Sequence, residues 1–137
     1  MYFPSKRDAW LAGVLGLAVV VLISTMLLLL REPETWLWSF LMIPPVALIA
    51  WIWFTTGYTF AEADLVAQSG PFRWSVPLAA ITSIQRTRNP LSAPALSLDR
   101  LEIRYGDDLI LLVSPEDDLA FVQMIRQRCP HANIDLL

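Results

Sequence analysis

The chain has 137 residues, 55% of them hydrophobic, and a mean hydropathy of +0.50, above the average for soluble domains. Its formal charge of −3 lies wholly after Gly57: three bases and three acids balance before that point, and residues 58–137 carry seven bases against ten acids. A mildly acidic domain is a poor general binder of nucleic acid or anionic membrane, and the single Cys129 excludes an intrachain disulfide or a cysteine-rich zinc site.

Met1–Ala9 reads as a short tail whose Lys6 and Arg7 precede a long apolar run, Trp10–Leu30. That run holds no charge and contains thirteen Leu, Val and Ile residues. On the insertion scale these are worth about −4 to −8 kcal/mol. It is long enough to span a bilayer, and it lacks the small-x-small ending of a cleaved signal peptide. Ser24 and Thr25 can return their hydroxyls to the preceding turn. The link Arg31–Thr35 leads to a second run, Trp36–Phe54, in which Pro44-Pro45 removes two backbone donors and predicts a kink. The two runs are expected to form a transmembrane helical hairpin with spans of about 10–30 and 36–54. Positive-inside bias at Lys6 and Arg7 places both chain termini in the cytoplasm and the link outside. Trp36, Trp38, Trp51 and Trp53 read as aromatic belts at the two interfaces; a cofactor cage is the alternative, without His or Cys to support it. Ala9, Ala12, Gly13 and Gly16 form small-xxx-small pairs. These suit packing within the hairpin or homo-oligomerisation through the first helix.

After Gly57 the apolar period changes from helical to two. Strands are expected at Tyr58–Ala61, Leu65–Ser69, Phe72–Val76, Ile81–Arg88, Arg100–Tyr105 and Leu109–Val113, with a helical turn at Leu78–Ala80. In Arg100–Tyr105 the alternation puts Leu101, Ile103 and Tyr105 inward and Arg100, Glu102 and Arg104 outward. Ser114 is placed as the N-cap of a final helix, with Pro115 at its first position and Asp117 completing a capping box. Glu116, Asp117 and Asp118 suit its positive end, and Arg126 and Arg128 its negative end. Leu119, Phe121, Val122, Ile125 and Cys129 form its apolar face, and Pro130 ends it.

The segment Arg88-Asn-Pro-Leu-Ser-Ala-Pro-Ala-Leu-Ser-Leu-Asp-Arg-Leu-Glu-Ile-Arg-Tyr105 is the most distinctive part of the chain. Pro90 and Pro94 fix two φ angles. Asn89, Ser92 and Ser97 can bond locally to the backbone, and Leu91, Leu96 and Leu98 are apolar anchors. An uncharged, leucine-rich loop of this kind is expected to be ordered, with Leu96 or Leu98 under the sheet and Pro90 and Ala93-Pro94 more exposed. This stretch, with Asp64-Leu-Val66, Gly70-Pro-Phe-Arg-Trp-Ser-Val-Pro-Leu-Ala-Ala-Ile-Thr-Ser-Ile84 and Ser114-Pro-Glu-Asp117, resembles the bacterial PH-like domain family of small membrane proteins, the YyaB-like group. The resemblance covers roughly residues 58–130. It implies an α+β fold: the two-helix transmembrane hairpin of residues 1–57, then a PH-like antiparallel β barrel or sandwich with a C-terminal helix over residues 58–137. The resemblance brings no established activity and no functional residue.

No catalytic set emerges from the residues. His131 stands alone after Pro130, and Cys129 closes an apolar stripe and reads as core rather than nucleophile. Asp107-Asp108 reads as a hairpin turn and Glu116-Asp117-Asp118 as an acidic helix start; neither has the ligand spacing of a calcium site. There is no phosphate-cradling glycine loop, and no cofactor or metal is expected. The remaining cluster is basic: Arg86 and Arg88 share one strand face and Arg100 and Arg104 another. They read either as a solvated face with cross-strand acid pairs or, if the strands bring them together, as a site for an anionic ligand or lipid headgroup. The turn Glu62-Ala63-Asp64 is acidic, which argues against phosphoinositide capture by a basic first hairpin. The expectation is a non-enzymatic interaction module tethered in a bacterial inner (plasma) membrane. Its partners would be the lipid bilayer and another protein, not nucleic acid.

Overall fold

The computed structural model describes residues 1–91 and 94–136. In chain order the elements are β1 (Tyr2–Pro4), α1 (Ala9–Leu29), a 3₁₀ segment (Trp36–Met42) running into α2 (Ile43–Thr55), β2 (Gly57–Phe60), β3 (Asp64–Ser69), β4 (Phe72–Pro77), a 3₁₀ turn (Leu78–Ala80), β5 (Ile81–Thr87), β6 (Arg100–Tyr105), β7 (Leu109–Val113), α3 (Asp118–Arg128) and β8 (Asn133–Asp135). The architecture is α+β. One sheet has the order β1-β2-β3-β4 and is antiparallel throughout. The other has the order β7-β6-β5-β8, with β8 parallel to β5.

The inner faces of the two sheets meet around α3. Phe121 is the hub: its ring lies 5.4 Å from Phe3, 5.9 Å from Tyr58 and 5.2 Å from Phe60, in edge-on or tilted arrangements that suit aromatic quadrupoles. Leu65, Val76, Ile81, Ile84, Ile103, Val113 and Ile125 complete a core that is fully closed to solvent.

α1 has no buried residue and neither has α2. Both α1 and the continuous segment Trp36–Thr55 are long and apolar enough to cross a membrane. The Thr25 hydroxyl does return to the Val21 carbonyl, at 2.9 Å. Pro44 and Pro45 fall in the first turn of α2, where missing N–H groups cost nothing; the 3₁₀ segment Trp36–Met42 directly precedes α2. Ala12 and Gly16 face Val46 and Ala50 across a cleft of about 350 Å³ between the helices, whereas a side chain at Gly13 would meet open space.

Several expectations are corrected. The first residues are not a tail: Phe3 pairs with Tyr58 in the sheet and is buried. The chain then stays with the domain as far as Asp8, through bonds from the Lys6 amide to Ser114 and the Asp8 amide to Leu96. This is why Ser114 is not a helix cap. It sits buried in an extended segment beside Ser5, and α3 starts later, capped by Asp117, whose carboxylate accepts from the Ala120 amide at 2.9 Å. The later start turns Leu119 outward, where it is 68% exposed, while Phe121, Val122, Ile125 and Cys129 are buried. Arg100 and Glu102 point away from the core yet are buried, because the loop before β6 folds over the first and Gln85 and Arg104 cover the second. In that loop Leu96 is buried, Leu98 half-buried and Pro90 exposed, but Pro94 is buried and Leu91 exposed. The expectations for Ser92 and Ala93 lie outside the described residues.

Candidate functional site

The loop between β5 and β6 meets the foot of α1, and a polar network holds the two together. Asp8, the residue before α1, does not cap that helix. Its carboxylate accepts from the Ser97 hydroxyl at 2.8 Å, the Leu98 amide at 3.0 Å and the Trp10 indole at 3.2 Å. Burial pulls the Asp8 carboxyl upward, but these three bonds and the nearby Lys6 outweigh it and hold it below its ordinary value. Tyr58 is buried at the centre. Its hydroxyl donates to the Pro94 carbonyl oxygen and accepts from the Ser114 amide, and burial pushes its ionisation upward. The Ser5 hydroxyl adds an acceptor for the Leu96 amide. On the other side, the Gly70 amide donates to the Thr55 hydroxyl at 3.0 Å and the hydroxyls of Thr56 and Ser69 lie 3.0 Å apart, so the end of α2 is bonded to the β3–β4 turn.

The four arginines do not converge. In the β5–β6 register Arg86 lies opposite Leu101 and so shares its face of the sheet, whereas Arg100 lies opposite Thr87 and Arg104 opposite Ser83, on the other face. Arg86 pairs with Asp118 and, at 3.6 Å, with Asp99, which also binds Lys6 at 3.0 Å. The bond to Asp99 is the chief cause that raises the Lys6 ammonium above its ordinary value. Arg88 is exposed just beyond β5. Arg104 binds Glu102 at 2.8 Å. Arg100 is 8% exposed: its Nε donates to the Ser97 carbonyl, and its Nη1 to those of Asn89 and Leu91. Burial lowers its pKa.

Cys129 is buried with its thiol donating to the Leu78 carbonyl, and burial raises its pKa, which disfavours the reactive thiolate. Among the described residues no group of His, Cys, Asp and Glu is arranged to hold a metal ion.

A family model described as the bacterial PH domain matches residues 56–129. The chain belongs to the bacterial PH domain family. The match begins at Thr56, the first residue after α2, and ends at Cys129, the residue after α3, so it spans β2 through α3. Comparison with curated proteins and with solved structures finds no match. The PH domain family is one of binding modules, and in this member the family match leaves out α1, α2, β1 and β8. Sequence reasoning missed Asp8, which bonds the β5–β6 loop to the foot of α1, and Ser5, Tyr58 and Ser114, which bond that loop to the segment after β1. The signal available was weak: a run of short polar side chains before a long apolar helix.

Proposed function

We propose that this PH domain is a non-enzymatic, membrane-tethered interaction module. In this reading α1 and the segment through α2 span a bacterial inner membrane, the Arg31–Thr35 link lies outside, and the domain of residues 58–137, completed by β1, sits on the cytoplasmic face. One observation carries the reading: the unburied apolar helices leave the domain without a linker, through hydrogen-bonded joints at Asp8 and at Thr55-Thr56. A soluble protein would cover such helices with its own side chains. A domain held at both joints has a fixed orientation on the membrane and presents constant faces to a partner.

Another protein is the partner that the exposed sheet edges suit. Among the described residues β4 pairs with β3 alone and β7 with β6 alone, so each offers an unpaired backbone edge. Leu109 and Ile110 on β7 are more than half exposed. A photoreactive residue at position 110, crosslinked in native membranes, tests the reading. Discrete protein adducts at position 110 that are missing when the probe sits at Glu34 support it. Adducts at neither position, or the same adducts at both, would overturn it. The register of β5 and β6 disfavours the alternative in which all four arginines share one anion.

A further inference from the structure

A cavity of about 350 Å³ lies at the foot of α1, lined by Trp10 and Leu11 of the helix and by Pro90, Leu91, Leu98 and Arg100 of the domain. Its walls are apolar except at Arg100 and Ser97. That guanidinium is the one arginine of the four that is both buried and without a carboxylate within ion-pair distance among the described residues. Its three acceptors are neutral carbonyls, and among the described residues its Nη2 group has no acceptor. The Asp8 carboxylate acts on this cation only through space, without an ion-pair contact, and burial outweighs it, so part of the desolvation cost is uncompensated. Two free N–H groups on one planar nitrogen match the oxygens of a phosphate.

We propose that this cavity binds the phosphodiester of a bilayer phospholipid, with Arg100 as its cationic partner and Trp10, Leu11 and Leu98 against the first methylenes of the lipid. The proposal rests on the reading that α1 enters the bilayer at Trp10. That reading puts the cavity at headgroup depth, where tryptophan is enriched. The apolar walls favour a lipid over a free phosphate ion. The charge balance selects a singly charged headgroup: one cation faces the cavity, and the carboxylate of Asp8, bonded to Ser97 and Leu98 beside it, would repel a multiply phosphorylated one. The residues lining the site do not include Glu62, in the turn between β2 and β3, or Asp64, at the start of β3.

Native mass spectrometry of the full chain, released from detergent after incubation with phosphatidylglycerol or with inorganic phosphate, tests the proposal. Two variants are used. Arg100→Gln removes the cation but also three bonds that order the loop. Leu91→Glu places a carboxylate at the cavity from a side chain that is 63% exposed, so the variant is expected to fold with near wild-type stability. The expected result is one phospholipid adduct per wild-type chain, reduced at least about tenfold in both variants, and no adduct with inorganic phosphate. Absence of a discrete adduct, equal adducts in wild type and Leu91→Glu, or displacement of the lipid by inorganic phosphate would overturn it. Alkaline extraction of the same membranes separates the two readings. A chain that stays in the membrane but binds no lipid removes this inference alone; a chain released by alkali removes the spanning reading as well.

Discussion

The Ser97 hydroxyl donates to Asp8 Oδ1 at 2.8 Å, across 89 positions of sequence. With the Leu98 amide on the other carboxylate oxygen, this clamps the β5–β6 loop to the foot of α1. The bonds favour the ionised acid, so the folded pKa of Asp8 lies below its ordinary 3.8. The sign follows from linkage: a depressed carboxylate stabilises the fold fully above the unfolded value, and the contribution is lost as pH falls through the folded value. Asp8→Asn should therefore lower the melting temperature at neutral pH. The gap between wild type and variant should close as pH falls below 3.8. A gap that does not change with pH would show that the charge of Asp8 plays no part. Lys6 behaves oppositely: raised above 10.5, it contributes below that value and loses its contribution as pH rises further.

Tyr58 is fully buried, and its hydroxyl serves both Pro94 and Ser114. Tyr58→Phe keeps the ring against Phe121 but leaves a buried carbonyl and a buried amide without their partner. The expected cost is about 1–3 kcal/mol in chemical denaturation. A cost near zero would mean that water replaces the hydroxyl.

Leu96 and Leu91 belong to one loop but differ in burial, at 5% and 63% exposed. Leu96→Asp should destabilise the domain by more than about 2 kcal/mol, by burying an unpaired charge. Leu91→Asp should change stability by less than about 0.5 kcal/mol. Equal effects would contradict the packing of this loop.

Gly70 has φ of +58°, and a side chain there would meet Ile52 Cγ1 of α2 at 2.8 Å. Gly70→Ala thus combines left-handed backbone strain with a clash against the second helix. The expected loss is about 1–2 kcal/mol from the backbone alone. Gly13→Ala, in open space, should cost nothing measurable. A neutral Gly70→Ala would show that the β3–β4 turn does not pack on α2.

Much of the fold was legible because it is local. Alternation in Arg100–Tyr105 marks β6 to the residue, Gly106-Asp-Asp108 marks its turn, and the double proline marks the change of helix geometry. The PH domain itself was legible from short motifs in order. What was not legible depends on distant pairing. Tyr2-Phe3-Pro4 is too short to announce a strand, and only its partner Tyr58 makes it one. Once β1 is in place, its continuation occupies Ser114, which removes that serine as a cap. The sequence pairs Arg86 with Arg88 and Arg100 with Arg104 but does not say how the two strands align; the register of β5 against β6 puts Arg86 and Arg100 on opposite faces, and the loop closes over Arg100.

The most direct test of the account is thiol labelling of Glu34→Cys and Asp107→Cys in cells, with a membrane-impermeant reagent applied before and after permeabilisation. The native Cys129 is fully buried and serves as the unlabelled background. The account places Glu34 in the link between the helices and Asp107 in the domain turn, on opposite sides of one bilayer. It predicts that Glu34→Cys labels in intact cells and that Asp107→Cys labels only after permeabilisation. Labelling of both in intact cells, or of neither until permeabilisation, would contradict it.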